Sequence, residues 1–263
     1  MANYRLSVDN IIIVGCGGVA SWLLPLLIKL CKDHGDPHIF LIDGDKLEEK
    51  NLDRQLFSED QIGTNKAVAL HARYIKEYSM MTAVEQFLLE GLDLPGQALW
   101  FGCVDNHSAR RYILNYVDLF GGRAIIGGNE YTDSEAYIYE PSWKNTPLDP
   151  RVYFPEILTD QANDPTRPQS CQGLAAIEHP QLVLANYTAA AYMAQLFWFY
   201  SVQRFNLDRK ETYDFWPIRH SNNFSRIQSE AIGQKMKQPK PTTAAVVAAV
   251  TTIAASRPNT VTT

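Results

Sequence analysis

This chain of 263 residues has little to offer zinc, disulfide or membrane chemistry. It holds four cysteines, Cys16, Cys31, Cys103 and Cys171, and no two lie close in sequence. Without a Cys-x-x-Cys spacing, a structural zinc site built on that pattern is excluded. So few thiols in a chain this long do not make a disulfide framework. No apolar run reaches the roughly 18 residues that span a bilayer. Residues 1–10 lack a basic stretch followed by an apolar one, so no signal peptide is read. Basic residues are not in excess: the net charge is −5. That argues against a general nucleic-acid binder and against charge-driven attachment to anionic lipid. None of the six histidines pairs at metal-ligand spacing, and no internal repeat is found. The expectation is a soluble, cytoplasmic protein with reduced thiols and neither nucleic-acid nor membrane partners.

What is present is an ordinary globular mixture, 46% hydrophobic and 20% charged. The length suggests about two domains or one large α/β domain. The first half alternates short β-branched runs with amphipathic stretches. Strands are expected at 11–14, 38–42, 84–89, 98–104 and 124–127, and helices at 19–32, 65–78 and 108–119. Pro25 is read near the start of the first helix, where it costs little. Such alternation implies a Rossmann-like α/β fold, a mainly parallel sheet with helices on both faces. Residues 135–140 look like an antiparallel extension. Residues 141–168 carry six prolines and read as a long crossover loop. A strongly apolar helix is expected at 182–202 and a last strand at 214–219. Residues 1–237 then form one domain. Residues 238–263 read as a low-complexity tail, a disordered extension first and a short assembly helix over 244–255 second.

Gly15-Cys16-Gly17-Gly18-Val19-Ala20 lies between the first strand and the first helix. In that context G-x-G-x-x-A is a nucleotide-binding turn. Gly15 permits the tight turn, Gly17 and Gly18 let backbone approach a phosphate, and Ala20 keeps the helix close to the sheet. Free N–H groups at the helix N-terminus then face an anion. Asp43-Gly44-Asp45 ends the second strand, where a carboxylate accepts ribose hydroxyls. That much suits NAD as well as ATP. Asn51-Leu52-Asp53-Arg54-Gln55 and Lys66 favour ATP, because a triphosphate needs guanidinium and ammonium partners and a nicotinamide does not. Asp105 and Asn106 close the fourth strand. There a carboxylate can hold Mg²⁺ between phosphates. Ser108 is read as the cap of the next helix.

Together these segments (GCGGVA, DGD, NLDRQLF, Lys66 and CVDN) resemble the ThiF/MoeB/HesA family, adenylating relatives of ubiquitin-activating enzymes. The likeness is strong over 9–130 and extends to about 205. Tyr116-Val117-Asp118-Leu119, Ser170-Cys171, Pro180-Gln181 and Asn186 are similar to the ThiF-like branch of the PRTRC system. The resemblance implies adenylation. The C-terminal carboxylate of a small ubiquitin-like or sulfur-carrier protein ending in Gly-Gly attacks the α-phosphate of Mg·ATP, and pyrophosphate leaves. It implies that Gly15, Gly17 and Gly18 cradle the nucleotide and Asp43, with Asp45 beside it, holds the ribose. Asn51, Arg54, Gln55 and Lys66 line the phosphates, Asp105 serves the magnesium, and Asn106 sits beside it. It also implies a homodimer. Two family features are missing, the four-cysteine zinc site and an arginine-bearing N-terminal helix, for which Arg5 is the sole candidate.

Cys171 follows the proline-rich crossover, where a thiol can take the activated acyl group as a thioester or simply pack at a helix start. The other three cysteines read as packing. Three alternatives stand beside adenylation of a carrier protein. They are a nucleotide-binding partner subunit whose chemistry has lapsed, an NAD-dependent oxidoreductase, and adenylation of a small molecule or tRNA base.

Overall fold

The computed structural model describes residues 6–88, 92–129, 133–159, 183–201 and 219–222. By backbone contacts the chain divides into Met1–Asn222 and Asn223–Thr263, and every described residue lies in the first unit. The expected boundary at 237, the tail, Arg5 and Cys171 lie outside the described residues.

Seven strands form one sheet: β1 Asn10–Val14, β2 His38–Ile42, β3 Met81–Val84, β4 Ala98–Gly102, β5 Gly122–Asn129, β6 Ser134–Tyr139 and β7 Arg219–Ser221. Their order is β3-β2-β1-β4-β5-β6-β7. The first five are parallel, β6 pairs antiparallel with β5, and β7 pairs antiparallel with β6. The Rossmann-like reading, with its antiparallel extension, describes this sheet. Chain order reverses between β1 and β4, and ligands bind above such a switch point.

The sheet is buried on both faces, and period-two alternation divides its side chains. Ile11 and Ile13 of β1, with Leu99 and Phe101 of β4, join a core against α1 (Gly18–Cys31), α2 (Lys66–Tyr74) and α6 (Val183–Ser201). Ile12, Val14 and Trp100 join the other core, against α3 (His107–Phe120), α5 (Glu156–Thr159) and Phe154, which follows α4 (Pro150–Tyr153). Full burial of each such side chain contributes about 1.5–3 kcal/mol. Among the described residues no helix is long and apolar enough to cross a membrane.

Several expectations are corrected. Pro25 sits mid-helix, and α1 continues through it to Cys31. The third strand is Met81–Val84 rather than 84–89. Phe87 and Leu88 made that stretch look strand-like, but they belong to the loop beyond it. Helix α2 ends at Tyr74, well before 78. Asn106, not Ser108, caps α3, accepting from Ala109 N at 2.7 Å. Strand β7 starts at Arg219, where the expected 214–219 ends.

The stretch 141–159 is not a bare loop. A 3-10 turn at Pro141–Trp143 precedes α4 and α5. Buried Arg151 pins it. Its guanidinium donates to Asp118 Oδ2 at 2.7 Å, Asp149 Oδ1 at 2.9 Å and Tyr139 Oη at 2.5 Å. Tyr139 Oη donates to Asp118 Oδ1 at 2.5 Å, and Lys144 pairs with Asp118 at 2.8 Å. Burial alone would raise the Asp118 carboxyl. The hydrogen bonds from Arg151, Lys144 and Tyr139 outweigh it and hold the group below its usual range.

Candidate active site

The Gly15–Ala20 turn leaves β1 at the switch point. Gly15 has φ +83°, and a Cβ there would lie 2.6 Å from the Cys103 carbonyl oxygen. Only glycine meets both demands. Gly17 stands at the N-terminus of α1, where no side chain caps the helix and no acidic residue occupies the first turn. Its N–H groups and partial positive charge therefore remain available to an anion. The nearest atom to a Cβ built on Gly17 is Gln55 Nε2, at 3.7 Å.

Asp43 leaves β2 directly beside this turn and is 8% exposed. Its Oδ2 accepts from Cys16 N at 2.6 Å and its Oδ1 from Asp45 N at 2.8 Å. Each carboxylate oxygen has a second lone pair for a further hydroxyl donor. Burial pushes the Asp43 carboxyl up, opposed by the charge of Lys66 and the two backbone donors. Asn65 ties the next segment in: its side chain donates to Asp43 O at 2.8 Å and caps α2. That cap delivers Lys66, whose Nζ reaches Asp45 Oδ2 at 2.9 Å. Glycine turn, Asp43, Asp45 and Lys66 thus form one linked group.

The strap from Asn51 to Gln55 completes the inner wall. Asn51 is 1% exposed, and its Oδ1 accepts from Glu48 N at 3.0 Å. Asn51 Nδ2 and Gln55 Oε1 are buried without a hydrogen-bond partner among the described residues. Such orphaned polar atoms are costly, and these two lie on the strap that packs beside the start of α1. Leu56 N donates to Ser21 Oγ at 3.1 Å, and that hydroxyl donates to Gly18 O at 2.8 Å. Arg54 O accepts from Asn186 Nδ2 at 3.0 Å.

Asp105 and Asn106 follow β4, beyond the Cys103 carbonyl that abuts Gly15. Asp105 is exposed, whereas the Asn106 side chain is occupied in capping α3. The described residues hold no cluster of three or more His, Cys, Asp or Glu for a metal. A single carboxylate suits Mg²⁺, which is bound by one or two carboxylates plus substrate phosphates. The residues therefore fit Mg·ATP: an uncapped helix N-terminus, an ammonium, unmet amide atoms, a buried carboxylate at the end of β2 and an exposed carboxylate.

The described thiols are free and poorly suited to nucleophilic chemistry. Burial pushes Cys16 and Cys103 well up and Cys31 up to about 12. A thiol held protonated is not a nucleophile at neutral pH. Ser21 carries no motif signal, and Asn186 is read from the sequence through the family likeness alone, with no site role. Only the packing of α1 and α6 brings them to the strap.

The ThiF family model matches residues 2–257. Solved structures share the fold. E. coli MccB with AMPCPP and selenomethionine MccA is 21% identical, with TM-score 0.52, covering 71% of this chain and 54% of that one. E. coli MccB with MccA-N7isoASN is 20% identical, with TM-score 0.52, covering 72% and 55%. The chain thus spans about half the length of the solved structures it matches. No curated protein matches the sequence.

Proposed function

The chain belongs to the ThiF family, and from that premise we propose that it is an ATP-dependent adenylyltransferase acting on a polypeptide C-terminus. The acceptor carboxylate attacks the α-phosphate, the bond to the β-phosphate breaks, and an acyl-adenylate and pyrophosphate result. The acceptor is a small ubiquitin-like or sulfur-carrier protein ending in Gly-Gly. The observation that carries this reading is the unmet pair Asn51 Nδ2 and Gln55 Oε1, in a strap docked on the uncapped start of α1. A phosphate oxygen satisfies the first, and a hydroxyl or water on the nucleotide the second. E. coli MccB has been solved with AMPCPP and MccA, which supports a nucleotide and a second partner for this chain.

In this reading Gly15, Gly17 and Gly18 admit the phosphates to the N-terminus of α1, and Asp43 accepts the ribose hydroxyls. Asn51, Arg54, Gln55 and Lys66 position and neutralise the triphosphate. Asp105 holds Mg²⁺, which when bound stabilises charge on the phosphates. Catalysis is then mostly positioning and preorganised charge. Homodimerisation and a cytoplasmic location belong to the same proposal.

The test is to incubate the chain with Mg·ATP and candidate carriers, then examine each carrier's C-terminal glycine by mass spectrometry. An AMP adduct, or a hydroxamate after hydroxylamine, is the expected result. ATP binding with no adduct on any carrier would favour a lapsed partner subunit. Nicotinamide binding would favour the oxidoreductase.

A further inference from the structure

Helix α6 buries mostly small and apolar residues, among them Ala185, Ala189, Ala190, Met193, Leu196 and Phe197. Asn186 breaks that pattern while being only 2% exposed. An amide in such surroundings is costly unless both its ends are satisfied. Here both are. Nδ2 donates to Arg54 O at 3.0 Å, and Oδ1 accepts from Asn129 Nδ2 at 2.9 Å. The same carboxamide fills the space above Gly18, where an added Cβ would lie 2.6 Å from it. One side chain therefore touches three parts of the site wall: the first turn of α1, the strap at Arg54, and the end of β5. Ser21 makes the other tie, its hydroxyl bridging Gly18 O and Leu56 N.

We propose that Asn186 is a positioning residue of the nucleotide site, fixing the Arg54 strap against the start of α1. This rests on the reading of that site as an ATP site. Asn186 acts through two elements rather than on the substrate itself. The first is the main chain that carries Arg54. The second is the glycine whose N–H group opens the helix. Both serve the phosphates and neither serves the base. Loosening the contact should therefore weaken triphosphate binding selectively.

The experiment is calorimetric titration of the full chain with ATP and, separately, with adenosine. Asn186→Ala should raise the dissociation constant for ATP about tenfold and change that for adenosine by less than about twofold. Gly18→Ala enters the same contact from the other side. It should give the same selective loss, and combining it with Asn186→Ala should add little more. If Asn186→Ala does not fold, Asn129→Ala, which removes the donor to Asn186 Oδ1 without touching the glycine turn, decides in its place. Equal losses for ATP and adenosine, or unchanged ATP affinity in a folded variant, would overturn the proposal. A wild-type chain that binds no ATP overturns both this inference and the reading beneath it. Selective loss in a chain that never forms an acyl-adenylate sinks only the acyl-transfer reading.

Discussion

Lys66 and Asp45 share one hydrogen bond of 2.9 Å, yet the lysine side chain is 4% exposed and the carboxylate 43%. The buried ammonium is thus compensated by a partner that water reaches. A triphosphate can displace such a partner at small cost. Lys66→Met should lower the rate of pyrophosphate exchange by about 10²–10³-fold, the size expected for losing one preorganised charge contact. Lys66→Arg should recover only part, because a guanidinium fork does not fit where a compact ammonium was buried. Exchange kinetics on the two variants check this.

Asp43 yields a pH dependence with a definite sign. Its carboxyl is pushed above the ordinary value, by burial first. The ionised form is the one that accepts hydroxyl donors on both oxygens. ATP affinity should therefore fall on acidification, beginning above the range of an ordinary carboxylate. Adenosine should show the same fall and 2′,3′-dideoxyadenosine should not. Titrations at several pH values separate the two, and Asp43→Asn should flatten the dependence.

The Arg151 network concerns stability. Removing one partner of a buried ion pair leaves the other uncompensated, so Arg151→Met should cost about 3–5 kcal/mol by urea unfolding. The Asp118 carboxyl is held low in the folded chain. Its contribution is therefore present above the unfolded carboxylate value and is lost as pH falls through the lower folded one. Asp118→Asn should remove that acid-sensitive component while destabilising the protein at neutral pH.

Cys171 carries the thioester proposal alone, since burial keeps Cys16, Cys31 and Cys103 protonated. Cys171→Ala should preserve exchange and abolish any carrier adduct that dithiothreitol releases. An undiminished adduct would clear Cys171 of the role.

The first half of the fold was legible because its signals are local. A β-branched run closed by glycine, then Asp43 at the end of the next such run, fixes a strand–turn–helix unit whatever follows. Strand β3 was misplaced because Met81-Thr82-Ala83 is weakly apolar, while Phe87 and Leu88 beyond it mimic a strand. The Arg151 anchor was invisible. It joins three segments through charge rather than through a periodic apolar pattern, and prolines around it suggested an unstructured crossover. Asn186 was legible only as part of a family likeness. Its contact with Arg54 spans 132 residues, a distance at which spacing carries no information.

The most direct measurement is ATP–pyrophosphate exchange by the purified chain, with and without a carrier ending in Gly-Gly, beside Asp105→Ala. Asp105 is exposed, so its removal should leave thermal stability within about 0.5 kcal/mol. The account predicts carrier-dependent exchange in the wild type and its loss in the variant. Exchange that ignores the carrier, or survives Asp105→Ala unchanged, would contradict it.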